Sequence, residues 1–141
     1  SKYRDIAEKH IHTALANVIR EDGSTWHTFF FNMETGEPDH GATCQGYRDG
    51  SAWARGQAWG VYGTALGYRY TKEERYIDAF RTVTEYFLSH LPEDLVPYWD
   101  FEFISPEIPR QLLLQPAVCW KWLNTCLRRM PLFTAGRHLR L

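Results

Sequence analysis

Residues 45–60 read QGYRDGSAWARGQAWG, a loop rich in hydrogen-bonding groups followed by the first turns of a predicted helix. Two indoles, Trp53 and Trp59, flank the guanidinium of Arg55, and Gln45 lies upstream. Indole faces cover apolar sugar faces, guanidinium groups bind carboxylates through paired hydrogen bonds, and carboxamides serve hydroxyls as donor and acceptor. The stretch is therefore equipped to hold a sugar that carries a carboxylate, although aromatic residues at this spacing more often belong to a helical core.

This stretch resembles the signature of glycoside hydrolase family 88, the unsaturated glucuronyl hydrolases. The resemblance runs from about residue 3 to Arg110, and its motifs are QGY at 45–47, SAWARGQAWG at 51–60, YRYT at 68–71 and VPYWDF at 96–101. The related family 105, the unsaturated rhamnogalacturonyl hydrolases, usually has asparagine where this chain has Gln57. That difference favours family 88 and leaves family 105 as the alternative.

The resemblance implies an all-α fold in which this chain supplies about two hairpins of an (α/α)6 barrel and not a closed ring. It also implies an enzyme that releases 4,5-unsaturated uronic acid from the oligosaccharides left by polysaccharide lyases. In that family an aspartic acid protonates C4 of the vinyl ether, water adds at C5, and the hemiketal collapses. Neither a metal nor an organic cofactor is implied, and the implied partner is an unsaturated uronic-acid oligosaccharide.

The resemblance also assigns roles to single residues. Arg55 and Gln45 would hold the unsaturated sugar and its neighbour, and two indoles would wall the two subsites. A histidine that follows a tryptophan in the family contacts the reacting ring. The substrate-binding residues expected on this basis are His27, Gln45, Trp53, Arg55 and Trp59.

We find no counterpart of the family's two key aspartates in this chain and expect them upstream of Ser1. The chain is thus expected to be a central fragment that holds half a binding site and shows no turnover. A non-catalytic carbohydrate-binding or vestigial fragment is the alternative. Asp100 follows Tyr-Trp in a late loop and is interpreted as a structural loop acid, and no base is paired with Cys44 to make it a nucleophile.

The remaining sequence predicts the elements around this stretch. Apolar spacing predicts a helix over residues 3–20, ended by a turn at Asp22 and Gly23. Residues 25–31 are β-branched and aromatic, which predicts a short strand or extended loop, and residues 37–50 are predicted to be a long loop. In that loop Cys44 and Gly50 depart from the family, which commonly has a histidine and an acid there.

Two helices are predicted to form an αα-hairpin. Ser51 is the predicted N-cap of the first, which runs to about Tyr70. A capping box at 71–74 is predicted to start the second, which ends near His90. Four glycines of the first helix indicate close packing against another helix. The predicted buried stripe of the second helix is Ile77, Phe80, Val83, Phe87 and Leu91.

The charge is unevenly distributed. Residues 1–109 carry 17 acidic and 10 basic side chains, whereas residues 110–141 carry six basic side chains and no acid. The basic residues do not gather on one helical face, so no nucleic-acid partner is predicted. Cys119 and Cys126 lack further ligands at the usual spacing, so no metal site is predicted.

The abrupt change at Arg110 suggests two parts: a partial toroid domain over residues 1–110 and an atypical basic tail over 111–141. We interpret the tail as a frameshifted version of the family's next helix. Permitted codons for residues 111–124, read two bases later, encode a small-residue amphipathic helix. No signal peptide or membrane-length apolar run is visible, so no membrane partner is predicted, and the resemblance implies a cytoplasmic location.

Overall fold

The computed structural model describes residues 1–103. The basic tail of residues 111–141, its frameshift hypothesis and the end of the predicted domain at 110 lie outside the described residues. Five elements follow one another along the chain, and they are α1 (Lys2–Asn17), β1 (Thr28–Phe31), β2 (Pro38–Ala42), α2 (Ala54–Thr71) and α3 (Glu74–Ser89).

The core lies between α2 and α3, which form the predicted αα-hairpin. The predicted stripe of α3 is confirmed, since Ile77, Phe80, Val83 and Phe87 are buried and Leu91 is partly buried against them. Lys72 makes the turn between the helices in the left-handed conformation, at φ 63°. Burial of the α3 stripe against α2 is the main apolar driving force for this part of the fold.

Two of the four helix glycines allow the close approach of α3. A Cβ on Gly60 would lie 3.1 Å from Val83 Cγ1, and one on Gly67 would lie 2.7 Å from Tyr76 Cδ1. For Gly56 the nearest neighbour would be a side chain of its own segment, Trp53, and for Gly63 nothing lies within 4 Å. The packing prediction is therefore confirmed at positions 60 and 67 and wrong at 56 and 63.

Both predicted helix caps are wrong, because a tertiary partner takes the Ser51 hydroxyl and the preceding turn of α2 takes the Thr71 hydroxyl. Ser51 is buried and donates to Asp100, and α2 begins three residues later after Trp53. Thr71 is the last residue of α2, and its hydroxyl donates to the Gly67 carbonyl at 2.8 Å. The residue before α3 is Glu73, whose side chain makes no cap hydrogen bond.

The connection after α1 is a tight reversal. The helix ends at Asn17, three residues earlier than predicted, because Ile19 leaves it to form an isolated bridge with Thr25. Gly23 turns the chain at φ 86°. The buried Gln57 amide of α2 donates to the Gly23 carbonyl at 2.7 Å and to the Val83 carbonyl at 3.0 Å, which ties this turn to the helical hairpin.

The extended segment predicted at 25–31 is confirmed as β1, which pairs antiparallel with β2. Thr28 lies opposite Ala42 and Phe31 opposite Pro38, with an irregularity between. β2 was predicted as loop, because its sequence PDHGA lacks the alternation and β-branched residues of a strand. It pairs through its backbone, and its first three residues are exposed.

Within residues 1–103, no helix is long and apolar enough to cross a lipid bilayer.

Candidate functional site

Three of the predicted site residues form one cluster at the N-terminal end of α2. The His27 imidazole lies on the Trp53 indole, with ring centroids 4.2 Å apart and planes inclined by 50°. The Arg55 guanidinium carbon lies 5.0 Å from the centroid of the Trp53 ring. Trp53 itself is only 7% exposed. Its indole is therefore a buried support that carries two polar groups, one from the reversal before β1 and one from the helix.

The backbone around Trp53 is fixed by a segment far along the chain. Trp53 and Asp100 form an isolated antiparallel bridge. The Ala54 N–H donates to the Trp99 carbonyl, and the Phe101 N–H donates to the Ala52 carbonyl, each at 3.0 Å. The start of α2 is thus held as a short paired strand before the helix begins, which explains why Trp53, with extended backbone dihedrals, is its N-cap.

Asp100 organises the loop that precedes α2. Its side chain is fully buried and accepts hydrogen bonds from Ser51 Oγ at 2.6 Å, the Tyr47 N–H at 2.9 Å and the Glu102 N–H at 3.0 Å. A second carboxylate, Asp49, accepts the Thr43 N–H at 2.8 Å. These contacts agree with the interpretation of Asp100 as a structural loop acid, since its oxygens are already used by the loop.

The loop in turn holds His27. The backbone N–H groups of Cys44 and Gln45 donate to His27 Nδ1 at 3.0 and 3.2 Å, and the Thr43 hydroxyl lies 3.2 Å from the same atom. Burial, followed by the positive charge of Arg55, lowers the pKa of the His27 imidazole from its ordinary value of 6.5.

The two departures from the family pattern leave these contacts in place. Position 44 contacts His27 through its backbone N–H, whereas the exposed thiol of Cys44 lies 3.7 Å from Thr28 Oγ1. Gly50 has φ 89°, a left-handed conformation that glycine adopts without strain. Its carbonyl accepts a hydrogen bond from the guanidinium of Arg20.

Gln45 and Trp59 complete the predicted set at the edge of the cluster. Gln45 meets His27 through its backbone, and the residue is exposed. Trp59 is 56% exposed and packs edge-on against Tyr62, with centroids 5.8 Å apart. More than half of the Trp59 surface therefore remains accessible.

A cavity of about 350 Å³ lies between α1 and the first half of α2. Three predicted site residues line it, and its remaining wall is largely apolar. The lining includes His27, Trp53 and Trp59 together with Ile11, Leu15 and Val18 of the α1 side. A volume of this size lies within the range of small-molecule sites.

The residues that support the cluster are not predicted from the sequence. Thr43 links two parts of the loop, because its hydroxyl also accepts the Gly46 N–H at 2.7 Å. Ser51 was predicted as a helix N-cap, whereas its hydroxyl donates to Asp100. The available signal was the length of the 37–50 loop, which indicated function but did not identify its internal hydrogen bonds.

Comparison with known proteins gives a consistent set of relatives, although no family model matches the chain. The unsaturated chondroitin disaccharide hydrolase of Streptococcus pneumoniae (strain ATCC BAA-255 / R6) is 57% identical over 102 residues, which are 72% of this chain and 26% of that protein. The unsaturated glucuronyl hydrolase of Bacillus sp. (strain GL1) is 45% identical over 101 residues, 72% of this chain and 27% of that protein. The chain therefore spans about a quarter of the length of the curated relatives it matches.

The same family appears among solved structures. The unsaturated glucuronyl hydrolase of Streptococcus agalactiae matches with a TM-score of 0.77 and 45% identity, over 92% of this chain and 33% of that chain. A mutant of that enzyme complexed with dGlcA-GalNAc6S matches with a TM-score of 0.70, 45% identity and coverage of 92% of this chain and 34% of that chain.

These neighbours have an (α/α)6 barrel fold, which confirms the predicted fold class, with the addition of the small β1–β2 sheet. High identity to several relatives and close structural agreement each extend over more than two thirds of this chain. The chain belongs to the unsaturated glucuronyl hydrolases, glycoside hydrolase family 88.

Proposed function

We propose that this chain forms the uronate-binding wall of an unsaturated glucuronyl hydrolase, an enzyme that releases 4,5-unsaturated uronic acid by hydration of the vinyl ether. The observation that carries the proposal is the position of Arg55. Its guanidinium is exposed over the Trp53 indole, and within residues 1–103 it makes no ion pair with a carboxylate. A guanidinium that lies over an indole and has no carboxylate partner among the described residues suits the carboxylate of a uronic acid.

The groups around Arg55 suit the rest of such a sugar. The exposed indole of Trp59 would stack on a ring. The exposed carboxamide of Gln45 would hydrogen-bond hydroxyl groups of the unsaturated sugar or its neighbour. Trp53 would wall the site and support His27 and Arg55, and His27 would contact the reacting ring. The solved neighbour with bound dGlcA-GalNAc6S supports an unsaturated uronyl disaccharide as the ligand class.

The proton donor is a separate question. Two carboxylates that contact the loop before α2, Asp49 and Asp100, accept hydrogen bonds from the loop backbone and from Ser51. The oxygens of both carboxylates are thus engaged by the loop. We therefore assign the two residues to loop structure and propose that the 141-residue chain binds the sugar without turning it over.

Calorimetric titration of the chain with an unsaturated chondroitin disaccharide tests this function. A bidentate charged contact contributes about 1.5–3 kcal/mol, so Arg55→Ala should weaken binding roughly 10- to 100-fold. Arg69→Ala, at the opposite end of α2, is the matched control and should bind like the parent chain. Equal affinity of the Arg55→Ala variant, or no binding by the parent chain, would refute the assignment, and loss of the disaccharide's ultraviolet absorbance would refute the absence of turnover.

A further inference from the structure

Several hydrogen-bond donors converge on one atom, the Nδ1 of His27. The backbone N–H groups of Cys44 and Gln45 lie 3.0 and 3.2 Å from it. A backbone N–H can donate but has no lone pair with which to accept. Nδ1 must therefore offer its lone pair, and the Thr43 hydroxyl, 3.2 Å away, can turn its hydrogen toward the same atom.

A neutral imidazole carries one ring hydrogen, so an unprotonated Nδ1 places that hydrogen on Nε2. Nε2 is the other ring nitrogen, and His27 is one of the residues that line the cavity next to Trp53. None of the residues described by the structure hydrogen-bonds to this nitrogen. We propose that the backbone of loop 43–45 locks His27 in the Nε2–H tautomer, so that His27 acts as a hydrogen-bond donor to the sugar and not as a proton acceptor.

The backbone N–H groups that flank Cys44 and Gln45 in the loop have acceptors other than His27. The N–H groups on either side are already used, because Thr43 donates to Asp49, Gly46 donates to the Thr43 hydroxyl, and Tyr47 donates to Asp100. The Cys44 and Gln45 N–H groups have His27 Nδ1 as their acceptor among the described residues. The loop is held by an exposed contact of the Thr43 N–H with Asp49 and a partly buried contact of the Tyr47 N–H with Asp100, which keeps the donors aimed at the ring.

The surroundings also oppose the charged form of the ring. A proton on Nδ1 would face two N–H donors and would cost both hydrogen bonds. The charged group that acts on the ring is Arg55 of α2, the loop presents the Thr43 hydroxyl and the Cys44 N–H, and no described carboxylate hydrogen-bonds to the imidazole. The lowered pKa of His27 agrees with this geometry.

Nitrogen NMR of the 141-residue chain labelled with 15N-histidine measures the tautomer directly, without any sugar. Above pH 6.5 the His27 Nδ1 should resonate as an unprotonated nitrogen and Nε2 as a protonated one. His40 is an internal comparison, because its Nδ1 lies 3.1 Å from the Asp39 carboxylate and should carry the hydrogen. The His27→Asn variant identifies the signals by their loss. A protonated Nδ1, or an even mixture of tautomers, would overturn the proposal.

The claim that the sugar accepts a hydrogen bond from Nε2 rests on the function proposed above, and two variants of His27 test it. Asparagine at position 27 places an amide oxygen near the Nδ1 position, so His27→Asn should keep the loop contacts and the melting temperature but lose at least about tenfold in disaccharide affinity. Glutamine reaches the Nε2 position, so His27→Gln should bind more tightly than His27→Asn while melting lower. Binding by His27→Asn equal to the parent would overturn the donor role. If the parent chain binds no disaccharide, the function fails while the NMR result still decides the tautomer.

Discussion

Replacement of Asp100 by asparagine removes the charge at the centre of the loop that precedes α2. The carboxylate is fully buried and accepts three hydrogen bonds, two at Oδ2 from Ser51 and Tyr47 and one at Oδ1 from Glu102. An amide has only one oxygen, so it can keep the Oδ2 pair only by pointing its NH2 group at the Glu102 N–H. One hydrogen bond is then lost and two are no longer assisted by charge.

We expect Asp100→Asn to lower the free energy of unfolding by about 1.5–3 kcal/mol, the range for hydrogen bonds to a charged group. Asp100→Ala should cost more, because it leaves the Tyr47 N–H and the Ser51 hydroxyl without a buried acceptor, at about 1–3 kcal/mol each. Urea denaturation followed by tryptophan fluorescence measures both losses of stability, provided that the dependence of the unfolding free energy on urea concentration is the same in parent and variants.

Glu102→Gln is the matched control for this experiment. Glu102 lies two residues along the same loop, but its carboxylate pairs with Arg48 at the surface, where such pairs contribute about 0–1 kcal/mol. A loss of less than about 0.5 kcal/mol in Asp100→Asn, a typical value for a neutral surface change, would refute the view that this carboxylate holds the loop.

Two further stability predictions follow from the packing and the charges. Gly67→Ala should lower the free energy of unfolding by about 1–3 kcal/mol, because the new Cβ would meet the ring of Tyr76. In Gly63→Ala the new Cβ meets no neighbouring atom, and the gain in helix propensity should stabilise the fold by up to about 1 kcal/mol. Thermal melts in which Gly67→Ala is the more stable of the two variants would contradict the packing. The folded state also lowers the pKa of His27, so the unfolded chain binds a proton more readily, and stability should fall as the pH drops below 6.5. His27→Asn should reduce that slope in urea titrations between pH 7 and pH 5, and an unchanged slope would show that another group causes it.

The helical hairpin was predictable from sequence because its signals are local. The stripe of α3 recurs at helical spacing, and burial of Ile77, Phe80 and Val83 follows from that spacing alone. The caps were predicted wrongly because a hydroxyl can serve several partners, and Ser51 found Asp100, a residue separated from it by the whole hairpin. Strand β2 was missed because its pairing is through the backbone and leaves little mark on its side chains.

The candidate site was predicted in part for a similar reason. The residues His27, Trp53 and Arg55 were named from motif resemblance, and they lie together in the structure. The burial of Trp53 and the direction of the loop N–H groups were not predictable, since both depend on contacts between segments distant in sequence. Motifs identify side-chain types, whereas the backbone N–H groups that orient those side chains are positioned by the tertiary structure.

The bridge between Trp53 and Asp100 also sets an order of assembly. Contacts within the α2–α3 hairpin are close in sequence and should form early, whereas the bridge joins residues on either side of that hairpin and requires its closure first. During synthesis the helices can associate while the strand around Asp100 is still to emerge. The N-terminal end of α2 should therefore be the last part of this region to become rigid, and the first to loosen when the hairpin opens.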